Sequence, residues 1–105
     1  MGDFDSPGTI EKVLPKKKEV VVEPPMYRVL LHNDDYTTMD FVVEILMSVF
    51  GKSFEDATMI MLKVHHSGVG VCGVYTYEIA ETKVETVHHL ATESGFPLKS
   101  SMEKV

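Results

Sequence analysis

Two consecutive prolines, Pro24 and Pro25, set the first limit on what this chain can fold into. Proline lacks a backbone N–H, fixes its own φ and restricts the residue before it, so a diproline ends regular structure. The stretch they close, residues 1–25, also carries Ser6-Pro7-Gly8, Pro15 and the run Lys16-Lys17-Lys18. That composition predicts a flexible N-terminal extension, within which Val20-Val21-Val22 has strand character. Both a solvated tail and a tail that reaches a partner fit it. Residues 26–105 are left for one domain of roughly 80 residues, whose thin core has room for one shallow pocket rather than a deep cofactor cleft.

Periodicity divides that domain into six elements. Tyr27 to Asn33 predicts a strand with Tyr27, Val29 and Leu31 on one face and Asn33 following on that face at its end. Asn33-Asp34-Asp35-Tyr36 turns the chain through side chains that bond nearby backbone. Thr37 or Thr38 caps a helix to Phe50 with the stripe Met39, Val42, Leu46, Val49 and Phe50, stopped by Gly51. Ser53 caps a second helix, with Asp56 at the capping-box position, the stripe Ala57, Ile60, Met61 and Val64, and Gly68 as its stop. Val69 to Tyr77 is a β-branched and aromatic strand that Gly70 and Gly73 open to a bulge. Glu78 to Ser94 is a helix with Ala80, Val84, Val87 and Ala91 inward and Gly95 as its stop. Leu98 to Lys104 is a last edge strand. The order β-α-α-β-α-β, with helices on one face of three strands, is an α+β two-layer domain.

Charge narrows the function. The chain has 16 acidic and 10 basic residues, a formal net charge of -6. Nucleic acid and anionic membrane both call for a basic face, so neither is expected as a partner. An acidic surface suits a cation, and a free α-amino group is one. The single cysteine, Cys72, leaves no internal disulfide framework and fits a reducing cytoplasm. No apolar run reaches the roughly 18 residues of a membrane span, and Met1-Gly2-Asp3-Phe4-Asp5 is unlike a signal peptide.

Catalytic and metal chemistry find no foothold in the sequence. His65-His66 and His88-His89 are adjacent pairs whose side chains point about 100° apart on a helix, so neither pair chelates one metal. Asp34-Asp35 lacks the remaining ligands of a calcium loop. Cys72 lies inside an apolar strand, where an inert thiol is expected. No glycine-rich phosphate loop is present. The expectation is no metal, no cofactor and no enzyme.

One constellation is more informative. Asn33 and Asp34 end a strand, Met39 and Val42 are three apart on the next helix, and Met61, Val64 and His65 share one face of the second. Each has an ordinary reading alone: a turn, a core stripe, a solvated histidine. Together they set acceptors beside an apolar, methionine-rich patch. That suits a protein N-terminus, whose ammonium needs acceptors such as Asn33 Oδ1, the Asp34 carboxylate and a neutral His65 ring. The first side chain needs a socket, and methionine adapts to aromatic and aliphatic shapes alike.

At this point a family resemblance carries further. Asn33-Asp34-Asp35-Tyr36-Thr37-Thr38-Met39-Asp40-Phe41-Val42 resembles the ClpS motif, followed in order by Ala57-Thr58, Met61-Leu62, Val64-His65, Gly68, Cys72-Gly73-Val74, Ala80-Glu81-Thr82-Lys83-Val84, Pro97-Leu98 and Met102-Glu103-Lys104. The resemblance runs from about residue 25 to the end, and it is the linkage of these motifs that makes it specific. It implies a three-stranded antiparallel sheet with three helices, similar to the C-terminal domain of ribosomal protein L7/L12. It also implies a monomeric cytoplasmic adaptor of bacteria that recognises N-degrons, proteins beginning with Phe, Tyr, Trp or Leu, and hands them to the ClpA unfoldase of the ClpAP protease. By that pattern Asn33, Asp34 and His65 hold the α-amino group, and Leu31, Thr37, Met39, Val42, Met61, Val64 and Leu98 form the hydrophobic pocket, with Met39 as a gate against β-branched residues. Glu78 and Lys83 match positions that contact the N-domain of ClpA, and the arm before Pro24 matches an extension that engages the unfoldase. Thr38 departs from the motif, standing where the family has proline. A protein-interaction module of the ribosomal L7/L12 type, without degron binding, is the alternative on the same fold.

Overall fold

The computed structural model describes residues 22–105. They form β1 (Met26–His32), α1 (Met39–Ser48), α2 (Phe54–Ser67), β2 (Val69–Thr76), α3 (Tyr77–Ser94) and β3 (Lys99–Lys104). The expected order is observed, with element ends moved by a residue or two. The predicted extension, including Lys16-Lys17-Lys18, lies outside the described residues up to residue 21. From Val22 to Pro25 the chain is exposed and without regular structure.

Helix ends follow local chemistry. Thr38, rather than Thr37, caps α1: its hydroxyl accepts from the Phe41 N–H at 3.1 Å. Ser53 does the same for α2 through Asp56 N–H at 3.1 Å. Gly51, Gly68 and Gly95 adopt φ of 67°, 89° and 79°, the left-handed turn that ends a helix and that a Cβ disfavours.

The sheet has strand order β2-β1-β3, both pairings antiparallel. Between Val29 and Leu30 the β1–β2 register slips: Val29 pairs with Gly73 but Leu30 pairs with Val71. Cys72 is the extra residue of that bulge. The bulge shifts the phase of β2, so Gly70 and Cys72 point inward before it, whereas Val74 points outward and Tyr75 inward after it. The glycines on either side had signalled a bulge, and it forms beside Gly73.

Helices cover the inward sheet face. α3 lies across all three strands, α2 packs on β2, and α1 packs on α2. The core holds Val29 and Leu31 of β1, Val42, Ile45 and Leu46 of α1, Phe50 just after it, Ala57 and Val64 of α2, Cys72 of β2, then Ala80, Val87 and Ala91 of α3, and Leu98. Ile45 takes the core place that the sequence stripe gave to Met39, which is 44% exposed. The reason is geometric. Met39 opens α1 and lines the pocket described below, while Ile45 follows Val42 on the buried side.

Three contacts hold the site end of this fold. The Asn33 N–H donates to the Gly68 carbonyl at 2.9 Å, joining the end of β1 to the end of α2. A Cβ at Gly70 would lie 2.7 Å from Val64 Cγ2, so the missing side chain lets α2 close on β2. Phe41 of α1 packs on Phe96, ring centroids 4.8 Å apart, fixing the loop that leads to Leu98.

Candidate functional site

The β1–α1 loop is built around one carboxylate. Asp34 Oδ1 accepts from Tyr36 N–H at 2.8 Å and Thr37 N–H at 2.7 Å, and Asp34 Oδ2 accepts from the Thr37 hydroxyl at 2.7 Å. Burial alone would raise its pKa, but these three bonds outweigh burial and hold it below the ordinary carboxylate value. Asp34 is therefore charged at neutral pH. An ionised carboxylate has about four acceptor positions. The loop uses three, and one on Oδ2 is left for a ligand.

Beside this loop lies a pocket of about 230 Å³ lined by Asn33, Asp34, Asp35, Thr37, Met39, Val42, Met61, Val64 and His65. That volume is below the roughly 300–1,000 Å³ of small-molecule and cofactor pockets and suits a single side chain. The bond from Asn33 to Gly68 explains why residues far apart in sequence meet: it draws the last turn of α2, with Val64 and His65, up to the end of β1. Among the described residues, neither the Asn33 amide nor the His65 ring has a side-chain hydrogen bond to another residue, and both are exposed at the rim. The pocket thus has an apolar wall and a polar rim with acceptors to spare.

Most of the sequence-selected residues come together here: Asn33, Asp34, His65, Thr37, Met39, Val42, Met61 and Val64 all line the pocket. Leu31 and Leu98 do not. They are 0% and 3% exposed, part of the core. Asp35 was missed, although it belongs to the Asn-Asp-Asp triplet that marked the turn; its carboxylate adds negative charge at the rim.

Glu78 and Lys83 stand elsewhere. Glu78 is exposed in the first turn of α3, beside a hollow shared with Pro24, Pro25, Thr76 and Tyr77. Lys83 donates from Nζ to the Val49 carbonyl at 2.8 Å and sits over the rings of Tyr75 and Phe50, 5.3 and 5.8 Å from their centroids. It fastens the end of α1 to α3, a role no local pattern announced.

The catalytic possibilities weigh little. Cys72 is 1% exposed, and burial pushes its thiol up to about 12, so the thiolate is absent at neutral pH. No group of three or more His, Cys, Asp or Glu among the described residues is placed to hold a metal ion. No helix among them is long and apolar enough to cross a membrane.

Fold and site define a small α+β module with a side-chain-sized pocket at the end of β1. Residues 22–101 match the model of the family described as ATP-dependent Clp protease adaptor protein ClpS. Relatives named ATP-dependent Clp protease adapter protein ClpS are similar over most of the chain. That of Desulforapulum autotrophicum is 73% identical over 81 residues, covering 77% of this chain and 78% of its own. That of Desulfatibacillum aliphaticivorans is 62% identical over 91 residues, 87% and 88% of the two chains. Among solved structures, Agrobacterium tumefaciens ClpS2 bound to L-phenylalaninamide is similar at a TM-score of 0.77 and 38% identity, covering 79% of this chain and 100% of that one. The chain belongs to the ClpS family of Clp protease adaptors. It is an adaptor, not an enzyme.

Proposed function

We propose that this adaptor captures proteins by a free N-terminal residue with a bulky hydrophobic side chain and delivers them to a ClpA-type unfoldase of a Clp protease in the bacterial cytoplasm. The observation that carries the reading is the pairing of spare acceptors with a side-chain-sized apolar pocket. An α-ammonium has three donors. Asn33 Oδ1, the free position on Asp34 Oδ2 and a neutral His65 nitrogen supply three acceptors at the rim of the pocket. The side chain on the same carbon enters between Met39, Val42, Met61 and Val64. The ligand named for the Agrobacterium protein has the same chemistry: a free amine, an aromatic side chain and a neutral amide in place of the carboxylate. An amide marks a chain that continues, as a degron does.

Each charge-assisted hydrogen bond contributes roughly 1.5–3 kcal/mol, and burying Phe or Leu contributes about as much. After the cost of association, a Kd on the order of micromolar follows. The test is fluorescence anisotropy with a Phe-initiated peptide, free and N-acetylated. The free peptide should bind and the acetylated one, which has lost its charge and two of its donors, should bind at least about 100-fold more weakly. Equal affinity would refute the reading in favour of a module that reads some other feature.

A further inference from the structure

The helix layer carries a second hollow. This groove of about 600 Å³ lies between α1 and α2, lined by Val43, Met47, Phe54 and Met61, with Asp40 and Glu44 on its rim. Its apolar side chains are open to solvent, Phe54 63% and Met47 41% exposed. Large apolar side chains grouped in this way mark a surface that meets something. One end of the groove is near the place where the arm joins the domain. Phe50, which stands between Met47 and Phe54 in the chain, packs on Tyr75 with ring centroids 6.4 Å apart. Tyr75 pairs with Tyr27, and Met26 beside it is the first residue of β1.

We propose that a segment of the chain's own arm, Lys12-Val13-Leu14-Pro15-Lys16-Lys17-Lys18, docks in this groove. Val13 and Leu14 enter among the apolar side chains, and the lysines on either side of them meet Asp40 and Glu44. Two observations point to this occupant. The first is charge. The segment holds four of the chain's 10 basic residues and no acidic one. The rim it meets is acidic, and neither Asp40 nor Glu44 has an ion-pair partner among the described residues, so the two surfaces are complementary. The second is reach. Leu14 stands eight residues before Val22, where the described chain begins. Eight extended residues span roughly 26 Å, enough to cross the width of one helix, roughly 10–12 Å, and enter the groove. Docked, the lysines are neutralised and the arm is not free to reach another surface; released, it is. Nothing in this depends on what the amine pocket binds.

Methionine-methyl NMR on the full chain tests this. Cys72 is 1% exposed with its thiol pushed up to about 12, so Thr9→Cys provides one reactive thiol for a nitroxide label just before the segment. The Met47 and Met61 methyl signals should lose intensity when the label is paramagnetic. Met102, on the strand at the other edge of the sheet from β2, should keep its own. At about 1 M salt, where the Debye length is about 3 Å, the loss should weaken. Two sets of substitutions in the arm, outside the described domain, should each abolish it: Val13→Ser with Leu14→Ser, and Lys16→Gln with Lys17→Gln and Lys18→Gln. If Met47 and Met102 respond alike, the groove is not the arm's site and the proposal fails. It fails equally if either set of substitutions leaves the loss unchanged, since the segment's apolar and basic parts are both required. A mixture of nitroxide-labelled chains with isotope-labelled chains that lack the nitroxide gives the last outcome. Loss of Met47 signal at full strength between different chains would overturn docking within one chain and make the groove a contact between copies.

Discussion

The Asp34 carboxylate holds its loop and, on the proposed reading, also accepts from an amine, and substitutions separate the two. Asp34→Ala removes three loop bonds as well as the acceptor for an amine, so weak binding by that variant says little about the amine. Asp34→Asn is the better probe. Its Oδ1 still accepts from Tyr36 and Thr37 N–H, which keeps the turn, while its amide nitrogen removes the acceptor at Oδ2 and the negative charge. It should unfold within a few degrees of wild type and bind a Phe-initiated peptide roughly 10- to 100-fold more weakly, the loss of one charge-assisted bond. Wild-type affinity would mean that Asn33 and His65 suffice. Much of this scale was legible in the sequence, because Asn33-Asp34-Asp35-Tyr36 uses local bonds that follow from residue type. What local pattern could not give was how far Asp34 is already occupied, nor that Leu31 and Leu98 are buried in the core. Both depend on depth, which is set by the elements packed around them.

At the scale of elements, caps and stops were the readable part. Thr38, Ser53, Gly51, Gly68 and Gly95 each act within a turn of their own position, so sequence determines them directly. The joints between elements were not readable, because each pairs residues far apart in the chain. Asn33 to Gly68 closes the pocket, Lys83 to Val49 ties α1 to α3, and His88 ties α3 to β3. The last is the most exposed to test. The Ser100 N–H donates to His88 Nε2 at 2.9 Å. An N–H only donates, so Nε2 is the unprotonated nitrogen of a neutral ring and the ring proton is on Nδ1. His88→Leu leaves the N–H of Ser100, a buried residue, without its partner, which costs roughly 1–3 kcal/mol. For a domain of this size each kcal/mol lowers Tm by about 4–8 °C. A melt should show that loss, with faster amide exchange in β3, whereas a Tm within about 2 °C of wild type would mean that water replaces the ring at no cost.

Across the whole molecule, the pocket and the residues expected to meet the unfoldase occupy different places. The pocket lies where β1 ends and α1 begins, and β1 runs from there back to Met26, where the described arm leaves past Thr76, Tyr77 and Glu78. An adaptor needs this division, since a surface occupied by substrate is not free to meet the unfoldase. Of the two residues expected to meet it, only one makes a clean probe. Lys83 holds Val49 and covers two aromatic rings, so Lys83→Ala disturbs the α1–α3 joint and with it the pocket. Glu78 is exposed, and although an acidic residue in the first turn of a helix stabilises it, the contribution is only about 0.3–1 kcal/mol. Glu78→Ala should therefore leave the Kd for a Phe-initiated peptide within about twofold of wild type, since that loss bears on folding and not on the pocket. If Glu78 forms part of the delivery surface, the same variant should slow degradation of a Phe-initiated reporter by the cognate unfoldase and protease several-fold at limiting adaptor, as loss of a rim charge at an interface does. Degradation at the wild-type rate would move the delivery surface away from the start of α3. A parallel loss of peptide binding would show that the two ends of β1 are coupled through the sheet rather than independent.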